Sequence, residues 1–257
     1  MTELWNLVIF NPMLNGLLFL YNLLGHNFAI SIVVFTILVR VLMLPLTLSQ
    51  QRSAQASQEL QPKLQELQKK YKNDREKLNE ETMKLYREHG VNPLGCVLPM
   101  LIQLPIWIGL YQSIIHALSE NPTQLVNLGK HIYSTFPILS SLVPLNSRFL
   151  WLDLARPDPF LILPILVMVT MWIQQKMATP PTPDPQQAAM NQSMQFMMPL
   201  MFGFITYQLA SGLGLYFVIS NIVSIVQQYF VSGWGGLLPT PVAESAPGRK
   251  EKRGRKK

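Results

Sequence analysis

Residues 28–48 form one apolar run with a single charge in it, Arg40, inside "FTILVRVLML". At ~1.5 Å per residue, a helix over these positions is roughly 31 Å long, the thickness of a bilayer's hydrocarbon core. The length predicts a membrane-spanning helix. The arginine is its costly feature, at least ~2.5–3.5 kcal/mol on the translocon scale.

The rest of the chain follows the same pattern. Hydrophobic residues make up 49% and charged residues only 14%, against about 25% charged in soluble domains. The charges also cluster, which predicts an all-α, polytopic membrane protein with five spans: 28–48, 94–116, 159–178, 196–210 and 212–231. The last two are joined through "LASGLGL", where Ser211, Gly212 and Gly214 suit a tight turn. Residues 1–27 are apolar too, but Asn11, Asn15 and Asn22 fall within about 40° on a helical wheel. That single polar stripe predicts an amphipathic helix lying in the interface. No Lys or Arg precedes its apolar residues, as a secretory signal would require. The lone cysteine, Cys96, excludes a disulfide framework and a cysteine zinc cluster.

Charge sets the expected topology. Residues 1–27 carry no basic residue, 49–93 carry nine, 117–158 carry three and 232–257 carry seven. Five spans with the N-terminus outside place sixteen basic residues on the inner side and three on the outer, as the positive-inside rule favours. The segment 49–93 is charged and helical in pattern, with Leu60, Leu64, Leu67 and Tyr71 on one face, then Leu78, Thr82 and Leu85 after "KNDR". It predicts a cytosolic helical hairpin, with Pro62 at a helix start or kink. Residues 117–158 form an extracytoplasmic loop. Segment 179–195 is Pro-rich and polar, which predicts a disordered cytosolic loop. Residues 232–257 form a disordered basic tail ending in Arg249, Lys250, Lys252, Arg253, Arg255, Lys256 and Lys257. Such a tail suits anionic lipid, RNA or a purely topogenic role.

Polar residues inside the spans mark the candidate site. Thr36, Arg40 and Thr47 share one stripe, within about 40° of one another, and Pro45 frees the carbonyl of Val41. Gln103, Thr170, Gln174, Asn221, Ser224 and Gln228 lie in other spans. With the expected topology these groups run from the middle toward the cytosolic side, while the outer halves are apolar. That pattern predicts a wet pocket open below and closed above. Snorkelling of Arg40 to the interface and interhelical packing of each amide are the blander readings. An anion channel or small-solute transporter with Arg40 as its binding site would need a continuous polar path. A reaction finds no support: no span carries Asp or Glu, no H-E-x-x-H occurs, and His26, His89, His116 and His131 lie at span or loop edges.

Five stretches carry a resemblance: "NPMLNGLLFLYNLLGHNFAISIVVFTILVRVLMLPLTLSQ", "ELQPKLQELQKKYKND", "MKLYREHGVNPLGCVLPMLIQLPIWIGLY", "FLWLDLARPDPF" and "GLYFVISNIVSIVQQ". In order and spacing, from Asn11 to Gln228, they resemble the YidC-type membrane protein insertases. The resemblance implies a five-helix core in the bacterial plasma membrane that inserts and helps fold nascent membrane proteins. It would act alone or beside the Sec translocon, without cofactor or small-molecule substrate. Arg40 matches the family's arginine in a hydrophilic groove open to cytosol and lipid. The groove set is then Arg40, Thr36, Gln103, Trp107, Thr170, Gln174, Phe217, Asn221, Ser224 and Gln228, with the basic tail meeting ribosomes or lipid. The large periplasmic domain of Gram-negative members has no counterpart here. Phe217 stands where many short members carry Trp, which removes an indole from the groove.

The charge asymmetry gives a direct test of topology. In a Cys96→Ser background, Thr2→Cys and Lys130→Cys should react with an impermeant maleimide on intact cells. Asn73→Cys and Ser245→Cys should react only after permeabilisation. Labelling of position 245 from outside would make the span count even.

Overall fold

A computed structural model describes residues 2–72, 74–90, 97–118, 128, 131–132, 145–179 and 185–237. The chain opens with α1 (Thr2–Trp5), which runs through a π-turn (Asn6–Phe10) into α2 (Asn11–Leu23). Pro12 lies in the first turn of α2. It has no N–H to give and its ring crowds the preceding turn, a fitting place for one widened turn. Gly25 and His26, both at positive φ, reverse the chain, and the Asn27 side chain accepts from the Ile30 amide at 3.1 Å to start α3 (Phe28–Leu42).

The expected continuous span 28–48 is broken. α3 ends at Leu42, and α4 (Leu44–Glu59) leaves at a bend of 57°. Pro45 is the cause, since it cannot donate to the Val41 carbonyl and its ring presses on that turn. Leu60 interrupts the next stretch, and Pro62 sits in the first turn of α5 (Gln61–Lys70). Asp74 caps α6 (Arg75–Glu88), its carboxylate accepting from the Lys77 amide at 3.1 Å. α5 and α6 pack as a helix–turn–helix with Leu60 and Leu64 buried, the secondary structure the leucine pattern predicts. On its exposed surface, Glu81 and then Glu80 hold the Lys84 ammonium above the ordinary lysine range.

Three more long helices follow α7 (Val97–Ala117): α8 (Ile162–Ala178), α9 (Pro185–Gln208) and α10 (Ser211–Ser232). The turn between α9 and α10 is as tight as "LASGLGL" predicts. The all-α reading omits one small feature, a two-stranded antiparallel hairpin of β1 (Arg148–Phe149) and β2 (Leu152–Asp153). α9 begins at Pro185, so residues 185–195 are helical where a disordered loop is expected. Proline is tolerated in a first helical turn, and "QQAAMNQS" is rich in helix formers.

The N-terminal stripe makes a tertiary contact. Asn15 is buried, and its amide donates to the carbonyls of Asn11 at 2.7 Å and His131 at 2.9 Å. At Asn15 the stripe faces protein. Among the described residues, Glu3–Leu23 and Ser211–Val231 are long and apolar enough to cross a membrane, and the bent α3–α4 pair makes a third. Leu101–Ala117 and Ile162–Ala178 are shorter apolar helices.

The buried core gathers at one end of the bundle, the closed half, and thins toward the other, the open half. The core joins Leu14, Leu17 and Leu18 of α2 to Phe28 and Ile32 of α3, Leu110 and Ile114 of α7, and Leu213 and Tyr216 of α10. The β-hairpin segment seals this end. The Ser211 amide and hydroxyl both donate to the Arg156 carbonyl, at 2.7 and 2.6 Å, and the Gly212 amide donates to that of Leu154 at 3.1 Å. A glycine eases this close approach, since a Cβ on Gly212 would lie 3.1 Å from the Leu154 oxygen and 3.0 Å from Ile114 and would press both neighbours back. Toward their other ends the same helices expose Leu38, Val41 and Leu42 of α3, Leu101 and Leu104 of α7, and Ile222 and Val226 of α10.

Asp158 sets the start of α8 at the closed end. Its buried carboxylate accepts from the amides of Phe160 at 3.1 Å and Leu163 at 2.7 Å, across Leu161 at φ 61°. Asp158→Ala should destabilise the detergent-solubilised protein by about 1–3 kcal/mol in denaturant unfolding, and Asp158→Asn by less, because it keeps an acceptor. Equal stability of Asp158→Ala and wild type would show that the carboxylate does not hold this turn.

Candidate functional site

Arg40 lies in the last turn of α3, half-buried, where the closed half of the bundle gives way to the open half. Its Nε donates to Ser220 Oγ of α10 at 2.9 Å, and Nη2 donates to the same oxygen. Among the described residues no carboxylate pairs with it: the ion pairs are Lys77–Asp74, Lys84–Glu80, Lys84–Glu81 and Arg156–Asp153. One turn before Ser220, the buried Tyr216 hydroxyl accepts from Gln103 Nε2 of α7 at 3.2 Å. Arg40, Ser220, Tyr216 and Gln103 thus link α3, α10 and α7.

The other expected residues surround this network in separate contacts. Trp107, Phe217 and Phe202 of α9 meet edge-on in a triangle, with ring centroids 5.5–5.7 Å apart, and Phe217 is buried within it. On the α8 side of α10, Asn221 Nδ2 donates to Thr170 Oγ1 at 3.1 Å. Near the far end of α10, Gln228 Oε1 accepts from Gln51 of α4 at 2.7 Å. Thr36 is buried and donates to the Ile32 carbonyl at 2.6 Å, so its hydroxyl is satisfied within its own helix rather than open to a groove. Ser224 likewise donates to the Ser220 carbonyl at 2.9 Å. Gln174 is half-buried on α8. The tail residues Arg249 to Lys257 lie outside the described residues.

Ser220, Tyr216 and Gln51 are missing from the set read from the sequence. The signal for the first two is the i, i+4 stripe Tyr216–Ser220–Ser224, which places one polar atom per turn on the α10 face toward α3. Gln51 carries no such signal, because the bend at Met43 decides what α4 reaches.

Comparison with known proteins now decides the family. Residues 19–235 match the profile of a family described as "60Kd inner membrane protein". The membrane protein insertase YidC of Fusobacterium nucleatum is 39% identical over 227 residues, covering 87% of this chain and 96% of that protein. The chain belongs to the YidC family. A YidC from Geobacter sulfurreducens is 37% identical over 229 residues, but this chain, 89% covered, spans only 38% of its length. A crystal structure of an active YidC insertase with its first transmembrane domain resolved matches with a TM-score of 0.58 and 28% identity, over 86% of this chain and 46% of that one. The mostly helical architecture is therefore the YidC fold, in a membrane protein.

The Asn221–Thr170 contact is the bond between α10 and α8 that mutation tests most cleanly. Thr170→Val, Asn221→Leu and the double variant should show a coupling of about 0.6 kcal/mol in reversible unfolding, the average for polar contacts between membrane helices. Strict additivity would mean the two side chains do not stabilise each other.

Proposed function

We propose that this YidC family member inserts membrane proteins by receiving the polar tail of a nascent segment in the open half of its bundle, with Arg40 as the attracting charge. The observation that supports this reading is a cation without an opposing carboxylate among the described residues, placed where the buried core thins out. A substrate tail must cross an apolar barrier, and a hydrated groove reaching partway shortens the dehydrated path. In a low-dielectric setting the pull of Arg40 on an acidic group exceeds its value in water. The apolar part of the substrate then passes between helices into lipid, driven by hydrophobic transfer without a nucleotide. The closed end supports insertion over conduction, because an ion channel needs a polar path through that layer.

The topology that fits this function has five spans, the N-terminus outside and the α5–α6 hairpin and the tail in the cytosol. In this arrangement the closed end faces outward and the groove opens to the cytosol of a bacterial cell. Nascent membrane proteins and the bilayer are the working partners. The Sec translocon is a partner for larger substrates, and the basic tail, Arg249 to Lys257, brings the ribosome close. A chaperone role follows from holding a partly inserted helix against the exposed apolar ends of α3 and α7.

Arg40 is the discriminating residue. In vesicles reconstituted with this protein alone, Arg40→Ala should slow insertion of a short single-span substrate with an acidic translocated tail by tenfold or more, at ~1.4 kcal/mol per decade. Arg40→Lys should keep much of the rate, because it keeps the charge. Normal insertion of acidic tails by Arg40→Ala would overturn the electrostatic role.

A further inference from the structure

We infer that Ser220 is the positioning residue of Arg40, and that its neutral hydroxyl holds the guanidinium while leaving the charge free for a substrate carboxylate. This rests on the insertion reading above and names how its central side chain is aimed.

Three observations converge on Ser220. Apart from Ser211 at the start of α10, which reaches the Arg156 carbonyl, buried Ser and Thr hydroxyls elsewhere in these helices bond to the carbonyl four residues back: Ser31 to Asn27, Thr36 to Ile32, Ser113 to Gly109, Thr206 to Phe202 and Ser224 to Ser220, at 2.6–2.9 Å. Ser220 departs from that habit. Its oxygen faces another helix and accepts twice from Arg40. The second observation is the absence of any acidic partner for Arg40 among the described residues. An aspartate at position 220 would also hold the arginine, but it would cancel the charge.

The third is the donor count. A guanidinium has five N–H donors in a fixed fork. Ser220 engages Nε and one hydrogen of Nη2, along a single edge. Both Nη1 hydrogens and the second Nη2 hydrogen remain. The second Nη2 hydrogen and one Nη1 hydrogen lie along the end of the fork, an edge that grips a carboxylate in a bidentate pair. Ser220 thus fixes the back of the fork and presents its front.

The test reads the ratio of insertion rates for two single-span substrates that differ only in an acidic or a neutral translocated tail, in vesicles holding the full chain. Ser220→Ala should lower the acidic-to-neutral ratio about threefold, the loss of one average polar contact in a membrane. Ser220→Thr, which restores the hydroxyl, should return the ratio to that of wild type. Ser220→Asp should collapse it to the level of Arg40→Ala, although the arginine is still present. Thermal unfolding of each variant checks folding, and the Ala–Thr pair carries the test if the aspartate variant does not fold. A wild-type ratio in both Ser220→Ala and Ser220→Asp, with Arg40→Ala collapsed, overturns this inference alone. An equally low ratio in Ser220→Thr and Ser220→Ala also overturns it, because packing and not the hydroxyl would then matter. A wild-type ratio in Arg40→Ala overturns the insertion reading and this inference with it.

Discussion

A guanidinium between apolar helices has to be stabilised by something, and among the described residues no carboxylate does it. Two neutral features share the task. The Ser220 hydroxyl accepts two of its hydrogens, and a hydrogen bond to a charged group contributes about 1.5–3 kcal/mol. The second feature is the end of α3, which stops at Leu42, so Arg40 lies in the last turn. The unpaired carbonyls there carry the negative end of the helix dipole, which contributes up to about 2 kcal/mol to a partly buried cation. Against a transfer cost of roughly 2.5–3.5 kcal/mol, these terms are of the right size. Both keep the arginine charged, as a carboxylate-binding role requires.

The break at Met43 therefore does two jobs. It turns α4 by 57° from the line of α3, and it frees carbonyls at the end of α3 beside Arg40. One residue, Pro45, accounts for both through its missing N–H and its clash with Val41. At the opposite end the logic reverses. Ser211, Gly212 and Asp158 leave few polar groups without a partner, so the helices pack tightly against the β-hairpin. The closed half is rigid because its polar groups are satisfied locally.

Much of this was legible in the sequence, and the particular misses are physical ones. Pro62 and "LASGLGL" act within one turn of themselves, so the start of α5 and the α9–α10 turn could be read directly, whereas Pro45 was read as freeing the Val41 carbonyl inside one continuous span 28–48 and the bend it makes was not. The apolar runs located α3, α7, α8 and α10 because bilayer length and helix rise leave little freedom. The asparagines of α2 were read as one polar stripe, and whether such a stripe meets water or protein depends on tertiary contacts such as that of Asn15 with the His131 carbonyl, which the sequence does not reveal. Residues 185–195 were misread because proline clustering masked good helix formers that only needed Pro185 at the start. Ser220 was missed for a related reason. In an apolar helix a serine can satisfy itself on the preceding turn, so its identity does not reveal whether it reaches a neighbour.

The position of Arg40 along α3 decides what kind of site it can make. Twelve residues separate Phe28 from Arg40, which at ~1.5 Å each places the arginine roughly 18 Å from the closed end of the helix. In a hydrocarbon core of about 30 Å that is past the midplane, on the open side. A charge any deeper would sit among Phe28, Ile32 and Ile114, where the core is fully packed and the buried hydroxyls of Ser31 and Ser113 are already bonded to the preceding turn. A charge much further out would be hydrated by bulk water and lose its low-dielectric advantage. Thr36, one turn deeper than Arg40, is already buried and bonded to its own helix, while Arg40 is half-buried. The boundary between packed and open helix fixes the depth at which attraction acts, and the remaining dry layer is what the substrate's own hydrophobic segment must carry its tail across.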